Sequence, residues 1–226
     1  MSDTLLNGAA IAVFLMTLSA LLGPLIHLSP VVPALVVFGF LGLATADQWG
    51  AEGRGLILLT ALLATPEQKR RRLCHEAGHF LLAYCLDVPV VSYQLSPWAV
   101  WRAGQQGQAG VQFDPDAWEN ALKQAPTLPQ QVERWAMVWL GGIAAEQIRY
   151  GADEGGASDR EQLRQGFRQL GLPPQVWPQK ENWALLQAKN LLQDQVKALE
   201  ALEIALAGGQ SVSECYALLG ELIPKT

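Results

Sequence analysis

Apolar and polar positions follow two regimes that meet near residue 65. Between Asp3 and Asp47 the chain carries no Lys, Arg, Asp or Glu. That composition suits a bilayer, where about 20 apolar residues make one spanning helix. Residues 4–23 supply the first stretch. Pro24, Ser29, Pro30 and Pro33 then punctuate the run, which places a turn near residues 24–30 and a shorter second span over residues 31–46. The pattern predicts a two-helix transmembrane hairpin over residues 1–50. A buried helical pair in a soluble protein would show a polar stripe, and none is present. Met1-Ser2-Asp3-Thr4 lacks the basic region of a secretory signal, so the hairpin is read as uncleaved. The apolar run at 55–64 is too brief to span, and residues 51–65 are assigned to an interfacial connector.

Beyond residue 65 the polar positions return. Thr65-Pro66-Glu67-Gln68 has the form of a helix start, with Thr65 as N-cap, Pro66 in the first turn and Gln68 at the capping-box position. That helix is expected to reach about Leu86. Residues 88–95 are rich in β-branched side chains, and residues 109–113 can pair with them across a mobile Gly/Gln-rich loop. Thereafter the pattern is helical, with breaks at Pro126/Pro129, 151–156, Pro173/Pro174 and Gly208/Gly209. Leu185, Leu192, Val196, Leu199 and Leu202 at helical spacing predict one helix over 181–207, for packing or self-association. Trp135 and Trp139, four apart, are assigned to the core, and Trp98 and Trp101 to a membrane surface. The expected fold class is α-rich α+β: a domain over residues 66–226 of helices with a small β-sheet, preceded by the hairpin.

Charge and cysteine content narrow the partners. A net charge of −5 leaves no basic excess to gather phosphates, so nucleic acid is excluded as a partner. The first basic cluster, Lys69 to Arg72, follows the hairpin and places the domain on the cytoplasmic or equivalent face. Cys74, Cys85 and Cys215 form an odd set without paired spacing, which suits a reducing compartment.

The chemistry is concentrated in His75-Glu76-Ala77-Gly78-His79, a His-Glu-x-x-His pattern inside the predicted helix. Residues four apart are about 40° apart around a helix and about 6 Å along it, so both imidazoles can reach one metal ion. Zinc held by three protein ligands keeps a position for water and lowers its pKa to about 7, with Glu76 placed to take the proton. With three His in the chain, chance yields this pattern about 0.002 times. A surface or core pair of histidines beside a paired Glu is the plainer reading. Gly78 counts against it, because a mid-helix glycine costs about 1 kcal/mol relative to Ala and calls for a close neighbour.

The third ligand is more distant. Position 85 holds Cys, rotated about 240° from His79 and so assigned to the core. No acid occurs between Asp87 and Asp114. Glu146, Asp153, Glu154, Asp159 and Glu161, around the segment 151–156, are the candidates.

Four segments in order, Arg72-Leu73-Cys74-His75-Glu76-Ala77-Gly78-His79, Gly110 to Pro115, Leu140-Gly141-Gly142-Ile143-Ala144-Ala145-Glu146 and Gly156-Ala157-Ser158-Asp159, resemble the FtsH-type membrane zinc metallopeptidases. The likeness covers roughly residues 66–165 and, in layout, the two spans. It implies a zincin-like fold, a zinc cofactor, and Asp159 as third ligand beside His75 and His79. This chain lacks the Asn of the family's Gly-Ala-Ser-Asn-Asp segment, which moves Asp159 one residue early. It also lacks the ATPase module, since none of its six lysines follows a glycine.

The expectation is an ATP-independent, membrane-anchored zinc endopeptidase for unfolded or membrane-associated polypeptides. A free-edged strand such as 90–95 would hold the substrate in extended form. Self-association, or association with a separate ATPase, would complete its partners. The alternative is a catalytically silent scaffold or regulator of membrane proteases. An intramembrane protease is disfavoured because Lys69 to Arg72 lie one turn ahead of the motif.

Overall fold

Helix α1 (Pro66–Cys85) organises the fold. It begins at a capping box: Thr65 Oγ1 accepts from the Gln68 N–H at 3.2 Å, and Gln68 Oε1 accepts from the Thr65 N–H at 2.8 Å. At the far end Asp87 turns with φ 54°. Arg134 donates to the carbonyls of Leu86 and Asp87 there, because no basic residue lies in the last turn of α1 itself. From Glu76 to Tyr84 every residue of α1 is buried, so the helix runs through the interior instead of along the surface.

The computed structural model describes residues 65–95, 110–123 and 128–224, with isolated positions 14, 17, 18, 29, 31, 32, 35 and 39. The chain divides into two compact units, Met1–Leu63 and Ala64–Thr226. In the first, all the described positions except Ser29 are helical. Among the described residues no helix is long and apolar enough to cross a membrane. The hairpin over 1–50, apart from those positions, lies outside the described residues. So do the connector up to residue 64, the loop 96–109 and Trp98 and Trp101 within it.

The second unit is helix-rich with one two-stranded sheet. After α1 come β1 (Val90–Gln94) and β2 (Gly110–Phe113), then α2 (Pro115–Lys123), α3 (Leu128–Trp139), α4 (Gly141–Tyr150) and α5 (Ala157–Gln169). A 3₁₀ turn (Pro174–Val176) leads to α6 (Trp177–Asp194), α7 (Val196–Ala207) and α8 (Val212–Leu222). The strands pair antiparallel, with Tyr93 opposite Val111 and Gln94 opposite Gly110, and a bulge falls between Val90 and Ser92.

The closest helix pairing is between α1 and α4. A β-carbon at Gly78 would lie 2.6 Å from Ala145 Cβ, and one at Gly141 would lie 2.8 Å from the Gly78 carbonyl oxygen. Glycine on both helices lets their backbones touch, which is the close neighbour that Gly78 demanded. Trp135 and Trp139 are buried as expected, whereas Cys85 is only half-buried against the core.

One expectation is corrected. The helix over 181–207 is two helices, α6 and α7, meeting at Gln195 with φ −120° and ψ 27°. No Gly or Pro marks the break. The reason is tertiary: α6 buries Ala184, Ala188 and Leu192 against α3 and α4, while α7 buries Leu199, Leu202 and Leu206 against α1. At the outer edge of β1 the Val90 N–H donates to Tyr216 Oη at 3.0 Å and Tyr93 Oη donates to the Gln210 carbonyl at 2.5 Å, while residues 91–95 border a groove against α8 and the turn before it. The strand facing the motif is β2.

Candidate metal centre

His75 and His79 project from one face of α1, and a separate acceptor fixes each ring. His79 Nδ1 lies 2.8 Å from the Val138 carbonyl. That oxygen belongs to the last turn of α3, where a helix leaves its carbonyls without intrahelical partners. His75 Nδ1 lies 2.7 Å from Glu146 Oε1 on α4. Gly142, one turn before Glu146, makes room for the ring: a β-carbon there would sit 2.6 Å from His75 Cε1. With both Nδ1 atoms donating outward, both Nε2 atoms face inward, 3.1 Å apart.

Asp159, in the first turn of α5, closes the figure. Its Oδ2 lies 3.0 Å from His75 Nε2 and 3.4 Å from His79 Nε2. Among the described residues these three side chains form a group able to hold a metal ion. Two observations bear on the fit. Two ligands of a tetrahedral ion at 2.0–2.2 Å are about 3.3–3.6 Å apart, and the observed sides of 3.0, 3.1 and 3.4 Å are near or somewhat under that spacing. Asp159 Oδ2 is also a buried oxygen without a hydrogen-bond partner of good geometry, an arrangement that needs a cation or a proton to stabilise it.

The electrostatics agree. Burial opposes a charge on His75, yet the carboxylates of Asp159 and Glu146 against its two ring nitrogens outweigh it and push its pKa up to about 10. Burial acts upward on Asp159, but the imidazoles of His79 and His75 hold its carboxyl well below the usual carboxylate range. Glu146 is held low in the same sense, since burial is outweighed by His75 and by the Glu154 N–H, which donates to its Oε2 at 2.9 Å.

Glu76 is buried next to this triangle. Its Oε2 accepts from the Val111 N–H of β2 at 2.8 Å, and Gly110, with φ 132°, brings the strand against the carboxylate. The three candidate ligands, Glu76 and the whole of β2 line one cleft of about 1010 Å³.

No protein-family model matches the chain, and no curated protein matches it. The site therefore rests on its own geometry.

The other acidic candidates lie elsewhere. Glu146 sits on the outer nitrogen of His75, so it orients the ring and stands outside the triangle. Asp153 pairs with Arg160 at 3.0 Å, Glu154 with Arg71 at 3.3 Å, and Glu161 with Arg168 at 2.5 Å. By sequence Arg71 belongs to the basic cluster that orients the domain. Its side chain is instead only 16% exposed, 3.9 Å from Glu146 and stacked 4.4 Å from the Tyr150 ring centre. Sequence reading missed the Val138 carbonyl, the Val111 N–H and the role of Gly142. Main-chain groups leave no side-chain signature, but the Gly-Gly pair ahead of Glu146 was a visible sign of close approach.

Proposed function

We propose that the chain is an ATP-independent, zinc-dependent endopeptidase of the FtsH-like kind, anchored through its uncharged N-terminal segment. The observation that carries this reading is the triangle of His75 Nε2, His79 Nε2 and Asp159 Oδ2, with Glu76 in the same cleft. His75, His79 and Asp159 would hold the ion, which when bound supplies Lewis acidity and acidifies water.

The chain's own residues supply the rest. Glu146 and the Val138 carbonyl orient the two imidazoles. The Val111 N–H fixes one oxygen of Glu76 and leaves the other able to accept a proton. Water adds across the peptide C–N bond: the carbonyl carbon takes the hydroxyl group, and Glu76 carries the proton to the leaving amine. An edge of the small sheet would hold an extended polypeptide, since strand pairing binds main chain with little sequence demand. A chain that cannot pull substrates apart acts on segments that are already open.

The test is metal content with hydrolysis. The purified chain in detergent should hold about one zinc and cut an unfolded substrate, and Glu76→Gln should keep the zinc and lose the cutting. Zinc-loaded protein that cuts nothing across many unfolded and membrane-bound substrates would replace this reading with a silent scaffold.

A further inference from the structure

Asp159 is the one candidate ligand that does not come from α1, and the chain reaches it through the connection 151–156, in which three of six residues are glycine. Gly151 and Gly156 take left-handed φ values of 80° and 83°. Glycine gives up more backbone freedom on ordering than any other residue, so the position of Asp159 depends on what holds this segment. The connection passes over the hydrogen bond between His75 and Glu146: a β-carbon at Gly155 would lie 3.1 Å from Glu146 Oε1 and 3.5 Å from His75 Cε1. Two sets of contacts fasten it. Asp153 accepts from Gln147 Nε2 at 2.5 Å and pairs with Arg160 at 3.0 Å, which ties the segment to α4 and α5. Arg71 ties it to α1. Its Nη1 donates to the Ala152 carbonyl at 3.4 Å and faces Glu154 Oε1 at 3.3 Å and Glu146 Oε2 at 3.9 Å, while the guanidinium lies 4.4 Å from the Tyr150 ring centre.

We propose that Arg71 is a positioning residue: it fastens the connection to the helix that carries both histidines and so keeps the Asp159 carboxylate against them. The proposal rests on the metal-centre reading. Arg71 stands one turn before His75 on the same face of α1, so it reaches the connection while His75 faces Asp159. Lys69, Arg70 and Arg72 are exposed, and Arg71 alone of the four is turned inward. A planar guanidinium suits this place, because it can stack on Tyr150 and direct N–H groups at a carbonyl and a carboxylate together. Glu154 is largely exposed, so water screens its attraction and its share is small. The Ala152 carbonyl and the Tyr150 ring carry the rest. Groups that hold a ligand in place change metal affinity by about 10–100-fold when removed, and Arg71, one contact further out, belongs at the lower end of that range.

The test uses the full chain in detergent. Zinc release from loaded protein, read by chelator chase, should be about tenfold faster in Arg71→Met than in the parent. In zinc-free protein, amide hydrogen exchange over residues 152–159 should be about tenfold faster in that variant, with exchange in α6 to α8 unchanged. The stripped variant's Tm should stay within about 4 °C of the parent's. Glu154→Gln should speed release about twofold to threefold. Combining it with Arg71→Met should add nothing, since both act on one fastening. Parent-like release in Arg71→Met overturns the proposal, and so does faster release without faster exchange over 152–159, which would place the effect on Glu146 alone. Faster exchange across the whole domain, with a lower Tm, would also overturn it. If Arg71→Met does not fold, Glu154→Gln decides alone: local exchange and release both raised support the clamp, and parent-like values remove it. A parent chain that holds no zinc removes the metal centre first, and this role for Arg71 with it.

Discussion

Asp159 Oδ2 approaches His75 Nε2 to 3.0 Å with no hydrogen bond of good geometry at that oxygen, although the two residues come from different helices. Two atoms that both carry lone pairs stay that close when a cation or a proton lies between them. Alanine at His75, His79 or Asp159 should therefore abolish stoichiometric zinc, read by metal analysis after gel filtration. Full zinc retention in all three variants would sink the site.

Glu146 should behave differently from Asp159. It touches the outer nitrogen of His75 and leaves the triangle intact, so Glu146→Gln should weaken zinc binding by about 10–100-fold without abolishing it. Competition with a chelator of known affinity gives the number. Total loss of zinc with Glu146→Gln, and little with Asp159→Asn, would move the third ligand to Glu146.

Glycines on α4 make a steric prediction. Gly142→Ala places a methyl group into the His75 ring, so it should lower zinc affinity more than it lowers stability. Gly78→Ala drives α1 and α4 apart and should cost about 1–3 kcal/mol in thermal unfolding despite alanine's better helix propensity. A stabilised Gly78→Ala protein would show that the two helices are not locked together.

Local features were the legible ones. The Thr65 capping box, the shared face of His75 and His79, and the need for a neighbour at Gly78 all follow from spacing within one helix. The first short strand was legible from its β-branched run, and the second as its partner across the Gly/Gln-rich connection. Partners set by the crossing of helices were not. Glu146 and Asp159 are both acids near a Gly-rich turn, and only the contact of α4 with α1 separates a carboxylate behind His75 from one in front of it. Gln195 carries no breaker signal, because what ends α6 is the pair of different surfaces that α6 and α7 must cover. Which strand meets the site was likewise decided at a distance, by Tyr216 on the edge of β1 and Glu76 on the edge of β2.

Protons and a cation compete for His75, and the direction follows from its pKa of about 10 against an ordinary 6.5. In protein stripped by a chelator the raised value means that the protonated ring is favoured by folding. That contribution is fully present below about pH 6.5 and is lost as pH rises through about 10. Asp159, held low, contributes above its ordinary range and loses that only in acid. Stripped protein should therefore show a falling Tm between pH 7 and 10. In zinc-loaded protein the ring is already deprotonated, so its Tm should not follow that fall, and the gap between the two should widen with pH. Apparent zinc affinity should rise over the same interval, with proton release detectable as buffer-dependent heats in calorimetry. A stripped protein whose Tm is flat across that interval, with zinc affinity independent of pH, would show that His75 is not held as a cation between Asp159 and Glu146.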